Sequence, residues 1–185
     1  MKNILVIVDV QNDFVDGSLG SEAAQSRIDN ICKKIENFTD GLIITTQDTH
    51  EKNYLETKEG EKLPVEHCIK YSFGWGLNTK VAATVVTKVA IDTTTSFTGI
   101  EKPTFGSTDL MKKIYEYVGD EEFNITFVGF CTDICVISNA LLAKATFYDK
   151  ANIFVDASCC AGVTEEKHNA ALEVMKSCQI IVENE

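Results

Sequence analysis

The chain has 185 residues, of which 44% are hydrophobic and 24% charged, proportions that suit one globular domain spanning residues 1–185. Its formal net charge of −11 argues against a nucleic acid or an anionic membrane surface as partner, because both need basic patches. No apolar run approaches the ~18 residues of a spanning helix, and seven irregularly spaced cysteines with no export signal favour free thiols in a reducing cytoplasm.

In chain order, Ile4–Val8 reads as a first strand and Glu22–Phe38 as a helix with Ile28, Ile31, Ile35 and Phe38 on one face. Leu42–Thr46 reads as a second strand. Asp48–Lys80 is a long polar insert with Gly60, Pro64, Gly74 and Gly76, and an insert of that size is usually functional. Thr84–Val89 is β-branched and predicts a third strand. Ser107–Val118 follows as a helix that groups Leu110, Met111 and Ile114. Ile125–Val128, Ile153–Val155 and Ile180–Val182 complete a set of about six strands, separated by amphipathic stretches at Thr132–Phe147 and Thr164–Ser177. Thr164 followed by two glutamates is the hydroxyl cap and acidic first turn that a helix start prefers. The strand runs are nearly continuous in apolar residues, as in strands buried on both faces. Their alternation with helices predicts a doubly wound, mainly parallel α/β sheet with helices on both faces. In such a sheet, sites form beyond the carboxyl ends of the strands.

The first strand ends in Asp9-Val10-Gln11-Asn12-Asp13-Phe14, with no glycine-rich fingerprint, which argues against a dinucleotide cofactor. Asp9 is either a loop cap or a functional carboxylate. The fourth strand runs through Gly129 and Cys131 into a helix that opens around Cys135. A thiol there feels the positive end of the helix dipole, which lowers its pKa, and free amides in that turn can hold an oxyanion. Either cysteine can equally be a small buried hydrophobe. Of the three histidines, His168 falls mid-helix, where it packs or points to solvent. His50 and His67 lie in the insert, and Asp48, His50 and His67 form a plausible divalent-metal set. That leaves a carboxylate such as Asp9 as the base for the thiol. Lys102, taken alone, is a surface lysine; beside the thiol it would neutralise charge.

Together these residues resemble the isochorismatase-like cysteine hydrolases, and among them the nicotinamidases. The resemblance rests on D-x-Q-N-D-F at Asp9–Phe14, D-x-H at Asp48–His50, L-P-x-x-H-C at Leu63–Cys68, K-x-x-F at Lys102–Phe105 and G-x-x-T-D-x-C-V at Gly129–Val136. It implies a three-layer, Rossmann-like α/β/α fold and an Asp9–Lys102–Cys135 triad working through a thioester. It further implies an oxyanion site at the Cys131 and Cys135 amides beside a cis Phe130–Cys131 bond. It implies a ring stacked on Phe14, with Trp75 as a second wall. The implied metal is divalent, most simply Zn²⁺ with Mn²⁺ or Fe²⁺ as alternatives, on Asp48, His50 and His67. For the fourth ligand, some relatives have a histidine where this chain has Glu56, and others a glutamate at the position of Glu59, the preferred candidate. The implied reaction is nicotinamide to nicotinate plus ammonia, in a cytoplasmic homo-oligomer, dimer or tetramer. Another amide or carbamoyl substrate is the alternative. Isochorismate-type ether cleavage and a thiol redox role built on Cys131/Cys135 or Cys159/Cys160 stand further off.

Overall fold

The structure is a computed structural model that describes residues 1–185. Six strands, β1 (Lys2–Val8), β2 (Gly41–Asp48), β3 (Thr95–Lys102), β4 (Phe123–Phe130), β5 (Ala151–Ala161) and β6 (Ile181–Glu183), form one sheet in the order β3-β2-β1-β4-β5-β6. Every pairing is parallel. The order reverses direction at β1, so the crevice between the carboxyl ends of β1 and β4 is the topological switch point.

Period-two side chains explain the layering. Ile4, Val6 and Val8 enter one core with Leu110, Ile114, Ala140, Ala143, Leu172 and Met175, carried by α4 (Thr108–Val118), α5 (Ile137–Phe147) and α6 (Glu165–Ser177). Leu5 and Ile7 face the other way. They pack with Phe14 on α1 (Asn12–Val15), with Ile28, Ile31 and Ile35 on α2 (Glu22–Asn37), and with Val81 and Val85 on α3 (Thr79–Ile91). The predicted caps are present: the Ser107 and Thr164 hydroxyls accept from Leu110 N and Lys167 N. No helix is long and apolar enough to cross a membrane.

One expectation is overturned. Thr84–Val89 is not a strand but lies inside α3. Asn78 caps that helix by accepting from Lys80 N and Val81 N, and Val81, Val85 and Lys88 bury a stripe at helical spacing. Tertiary packing of that stripe outweighs the β preference of its valines and threonines. The third strand is Thr95–Lys102 instead. It is the sheet's edge, only Thr95 and Lys102 are buried, and so it lacks the apolar run of the inner strands.

Gly129 has φ +118°, and a Cβ there would collide with the Val8 carbonyl oxygen on the neighbouring strand. Only glycine lets β4 close on β1 at the switch point. Gly129→Ala is expected to cost roughly 2–4 kcal/mol by combined strain and overpacking. Chemical denaturation checks this, and a loss below about 0.5 kcal/mol would refute it.

Candidate active site

The site is assembled where four strands end. Asp9 follows β1 in the left-handed region, φ +49°, a conformation aspartate tolerates better than most residues. Its backbone N–H donates to the Thr46 carbonyl at 3.2 Å, and its Oδ1 accepts from the Thr46 hydroxyl at 2.6 Å. Asp9 Oδ2 lies 2.7 Å from Lys102 Nζ and has no aligned hydrogen-bond donor. Lys102, the last residue of β3, is 1% exposed, so it is no surface lysine. Its ammonium donates to the Thr104 carbonyl at 3.0 Å, meets Asp48 Oδ1 at 3.4 Å and reaches the Cys135 sulfur at 3.6 Å. Two side chains that the sequence places at separate strand ends, Asp9 and Cys135, therefore meet around the Lys102 ammonium.

Cys135 sits in a π-helical turn, Thr132–Val136, between β4 and α5. The Phe130–Cys131 peptide is cis, as expected from the resemblance. The electrostatics differ from expectation. Burial first, and then the Asp9 charge, push the Cys135 thiol well above its ordinary 9.0, outweighing Lys102. The helix dipole does not win, because a 4% exposed sulfur beside a carboxylate bears the desolvation cost of the thiolate. Burial also raises Asp9, against the pull of Lys102. Burial opposes Lys102 as well, but the Asp9 and Asp48 carboxylates hold its ammonium above the usual lysine range. Both shifts favour the protonated forms, a neutral thiol beside an acid of raised basicity. Burial pushes the Cys131 thiol up to about 12, so it too stays protonated.

Beside this cluster, Asp48, His50, Glu59 and His67 each turn one ligand atom inward, and the four atoms lie within 4.8 Å of one another. Asp48 Oδ2 is 3.0 Å from His50 Nε2 and 3.5 Å from His67 Nε2. Glu59 Oε1 is 3.7 and 3.9 Å from the same two nitrogens. His67 Nδ1 lies 2.8 Å from the Val65 carbonyl, which orients the ring so that its Nε2 faces the cluster. Two imidazoles and two carboxylates suit a divalent cation. Glu59 is the member whose inclusion the sequence left weakest, and Glu56 lies on the exposed side of its turn. Burial opposes ionisation of Asp48, but hydrogen bonds to both histidines and the Lys102 charge hold its carboxyl well below the usual range.

The insert that carries these ligands is not structureless. The polar triplet after Asp9 fastens it. Gln11 donates to the Asp48 and Trp75 carbonyls at 2.9 and 2.8 Å and accepts from Asp48 N at 2.7 Å. Asn12 donates to the Phe73 carbonyl at 2.8 Å, and Asp13 accepts from Cys68 N at 2.7 Å. Tyr54, fully buried, packs its ring 4.7 Å from His50 and 4.9 Å from His67. Sequence reasoning missed these roles; three consecutive amide and acid side chains beside a buried strand were the available signal.

A cavity of about 500 Å³ opens over the cluster. Phe14, Phe130, Cys131, Ile134 and Cys135 line its depth, with Asp48, Glu59 and His67 on one side. Leu19, Leu63, Phe105 and Val163 ring the mouth. Trp75 is not among the lining residues, contrary to expectation. Its indole N–H donates to the Thr49 hydroxyl at 2.9 Å and its ring abuts Tyr71, so it stiffens the insert instead. His168 is half-buried, 2.8 Å from the Thr132 hydroxyl, and plays no direct part in the cavity. All seven cysteines are free.

A doubly wound sheet with a buried acid, lysine and thiol at its switch point defines the class. The isochorismatase domain model matches residues 3–185, and the chain belongs to the isochorismatase family. Among its relatives, a nicotinamidase of Schizosaccharomyces pombe is 26% identical over 98% of this chain and 92% of its own. A nicotinamidase/pyrazinamidase structure from Bacillus subtilis superposes with TM-score 0.81 at 24% identity, covering all of both chains. A pyrazinamidase of Pyrococcus horikoshii in complex with zinc gives 0.74 at 22%, again with full coverage of both.

Removing Lys102 would leave two buried carboxylates without their cation. Lys102→Met is expected to destabilise the fold by roughly 3–5 kcal/mol at pH 7. Asp9, already raised with the lysine present, would rise further without it. A raised acid pKa favours the protonated native form, so the deficit shrinks as pH falls through that value. Denaturation at pH 7 and pH 5 tests the sign; an equal or larger deficit at pH 5 would contradict it.

Proposed function

We propose that this chain is a cysteine amidohydrolase acting on nicotinamide, giving nicotinate and ammonia. The observation that carries the reading is the contact of Asp9, Lys102 and Cys135 beneath an aromatic cavity that also borders the Asp48, His50, Glu59 and His67 group. The similarity to nicotinamidases supports the substrate.

In this reading the Cys135 sulfur attacks the carboxamide carbon while its proton passes to Asp9. The thiol's raised pKa makes transfer during attack more favourable than a standing thiolate, and Asp9's raised pKa suits it to receive the proton. The Cys131 and Cys135 backbone amides hold the oxyanion. Asp9 returns the proton to the departing nitrogen, which leaves as ammonia, and a Cys135 thioester remains. Water then attacks the thioester. Asp9 takes its proton, and the expelled sulfur recovers that proton as the acid is released. Lys102 keeps the charge of Asp9 compensated through the cycle.

Phe14 stacks on the ring, and Phe105 and Phe130 close the apolar walls. Asp48, His50, Glu59 and His67 would hold a divalent metal, most simply Zn²⁺ for two imidazoles and two carboxylates. When bound it supplies a Lewis-acidic contact for the pyridine nitrogen. Seven free thiols are in keeping with a cytoplasmic setting.

Ammonia release across a panel of small amides should be highest with nicotinamide. Cys135→Ala should fold normally and lose at least ~10³-fold in kcat. Asp9→Asn should lose ~10²–10⁴-fold. A Cys135→Ala enzyme with wild-type turnover would end the mechanism.

Metal-stripped protein titrated with Zn²⁺ should bind one ion per chain by elemental analysis. Binding should weaken at least tenfold in His67→Ala and Glu59→Gln, and stay unchanged in His168→Ala. Equal uptake by all of them would remove the assigned ligand set.

A further inference from the structure

We infer that Asn139, two residues into α5, is a positioning residue for the nucleophile and for the cavity wall at once. The inference rests on the reading of Cys135 as nucleophile and goes beyond it. Asn139 is 0% exposed and lies one helical turn after Cys135. Helix α5 is otherwise mostly apolar on its buried side, with Ala140, Ala143 and Phe147, so an amide there needs a reason. A buried amide that satisfied only itself would be a net cost.

Its hydrogen bonds supply that reason, because all go to backbone atoms of the two segments that carry the site. Nδ2 donates to the Cys135 carbonyl at 2.8 Å and to the Phe105 carbonyl at 3.0 Å. Oδ1 accepts from Ser107 N at 3.0 Å. The first bond ties Asn139 to the residue that bears the sulfur. The other two pin the loop between β3 and α4. That loop supplies the Thr104 carbonyl, which accepts from the Lys102 ammonium, and Phe105, which lines the cavity. One side chain thus fixes the spacing between the thiol-bearing turn and the loop that holds the lysine. No other side chain hydrogen bond joins residues 103–107 to the Thr132–Asn139 segment.

The two halves of the network should separate kinetically. Threonine at a helix position can return a hydroxyl bond to the carbonyl four residues back. Asn139→Thr therefore keeps a donor for the Cys135 carbonyl and releases the Phe105 and Ser107 loop. Asn139→Leu, nearly isosteric, removes every bond. Asn139→Leu should lower kcat at least tenfold and raise KM. Asn139→Thr should hold kcat within about threefold of wild type and raise KM at least fivefold.

Asn78→Ala, which removes the remote cap of α3, serves as the control for lost stability: its Tm should fall with kcat and KM unchanged. The measurement uses whichever amide the wild-type enzyme turns over best, so failure with nicotinamide alone bears on the substrate and not on Asn139. Iodoacetamide labelling of Cys135, followed by mass spectrometry, gives a second readout that needs no turnover. Its rate should fall at least fivefold in Asn139→Leu and recover in Asn139→Thr. Wild-type kinetics and labelling in a folded Asn139→Leu would overturn the inference. If that variant fails to fold, a folded Asn139→Thr with unchanged KM would overturn it equally.

Discussion

An ammonium that is almost completely removed from water must be held by carboxylates, and here the ammonium is Lys102, between Asp9 and Asp48. The rest of the molecule can be understood as the means of bringing those groups together. Burying any one of them alone is strongly unfavourable. Burying them jointly requires the ends of β1, β2 and β3 to be in register, which the parallel pairing of Asp48 with Lys102 provides. The charge on Asp9 then depends on the lysine, and the protonation of Cys135 depends on Asp9. Burial, which costs stability, is also what raises the basicity of Asp9.

The metal-type cluster shares this electrostatic unit through Asp48, whose two carboxylate oxygens face different neighbours. Oδ1 faces Lys102, and Oδ2 faces the two imidazoles. A cation held there would therefore be coupled to the Lys102 ammonium through one carboxylate. The insert that brings His50, Glu59 and His67 has little apolar core of its own beyond Tyr54 and Cys68. It is held by side-chain bonds from Gln11, Asn12 and Asp13, the residues that follow Asp9 in sequence. Asp9 and the side chains that fasten the insert thus come from one short segment.

Much of this was legible in the chain. Five of six strands and four of the helices stand close to where apolar periodicity puts them, because inner strands and amphipathic helices carry their burial pattern in the sequence. The exception is instructive. The valines and threonines of 84–89 have strand character, yet Val81, Val85 and Lys88 bury a stripe at helical spacing against α2, while the true strand at 95–102 is an edge with exposed residues. Trp75 shows the same limit at the site. An aromatic residue near the metal ligands suggests a substrate wall, but its direction is set by a hydrogen bond to Thr49, which no spacing rule predicts.

The sequence by itself determined the identity of the reactive groups and their order at strand ends, since acid, lysine, thiol and metal-type side chains are properties of residue type and of their place after apolar runs. Only the tertiary structure decided their protonation and their supports. Whether the Cys135 thiol is ionised depends on how much water reaches it and which charge lies nearest, and those charges sit on residues more than thirty positions away. The roles of Thr46, Glu59 and Asn139 have the same origin. Each acts through a few hydrogen bonds or close polar contacts that reach a distant segment, and such contacts exist only after the sheet has closed.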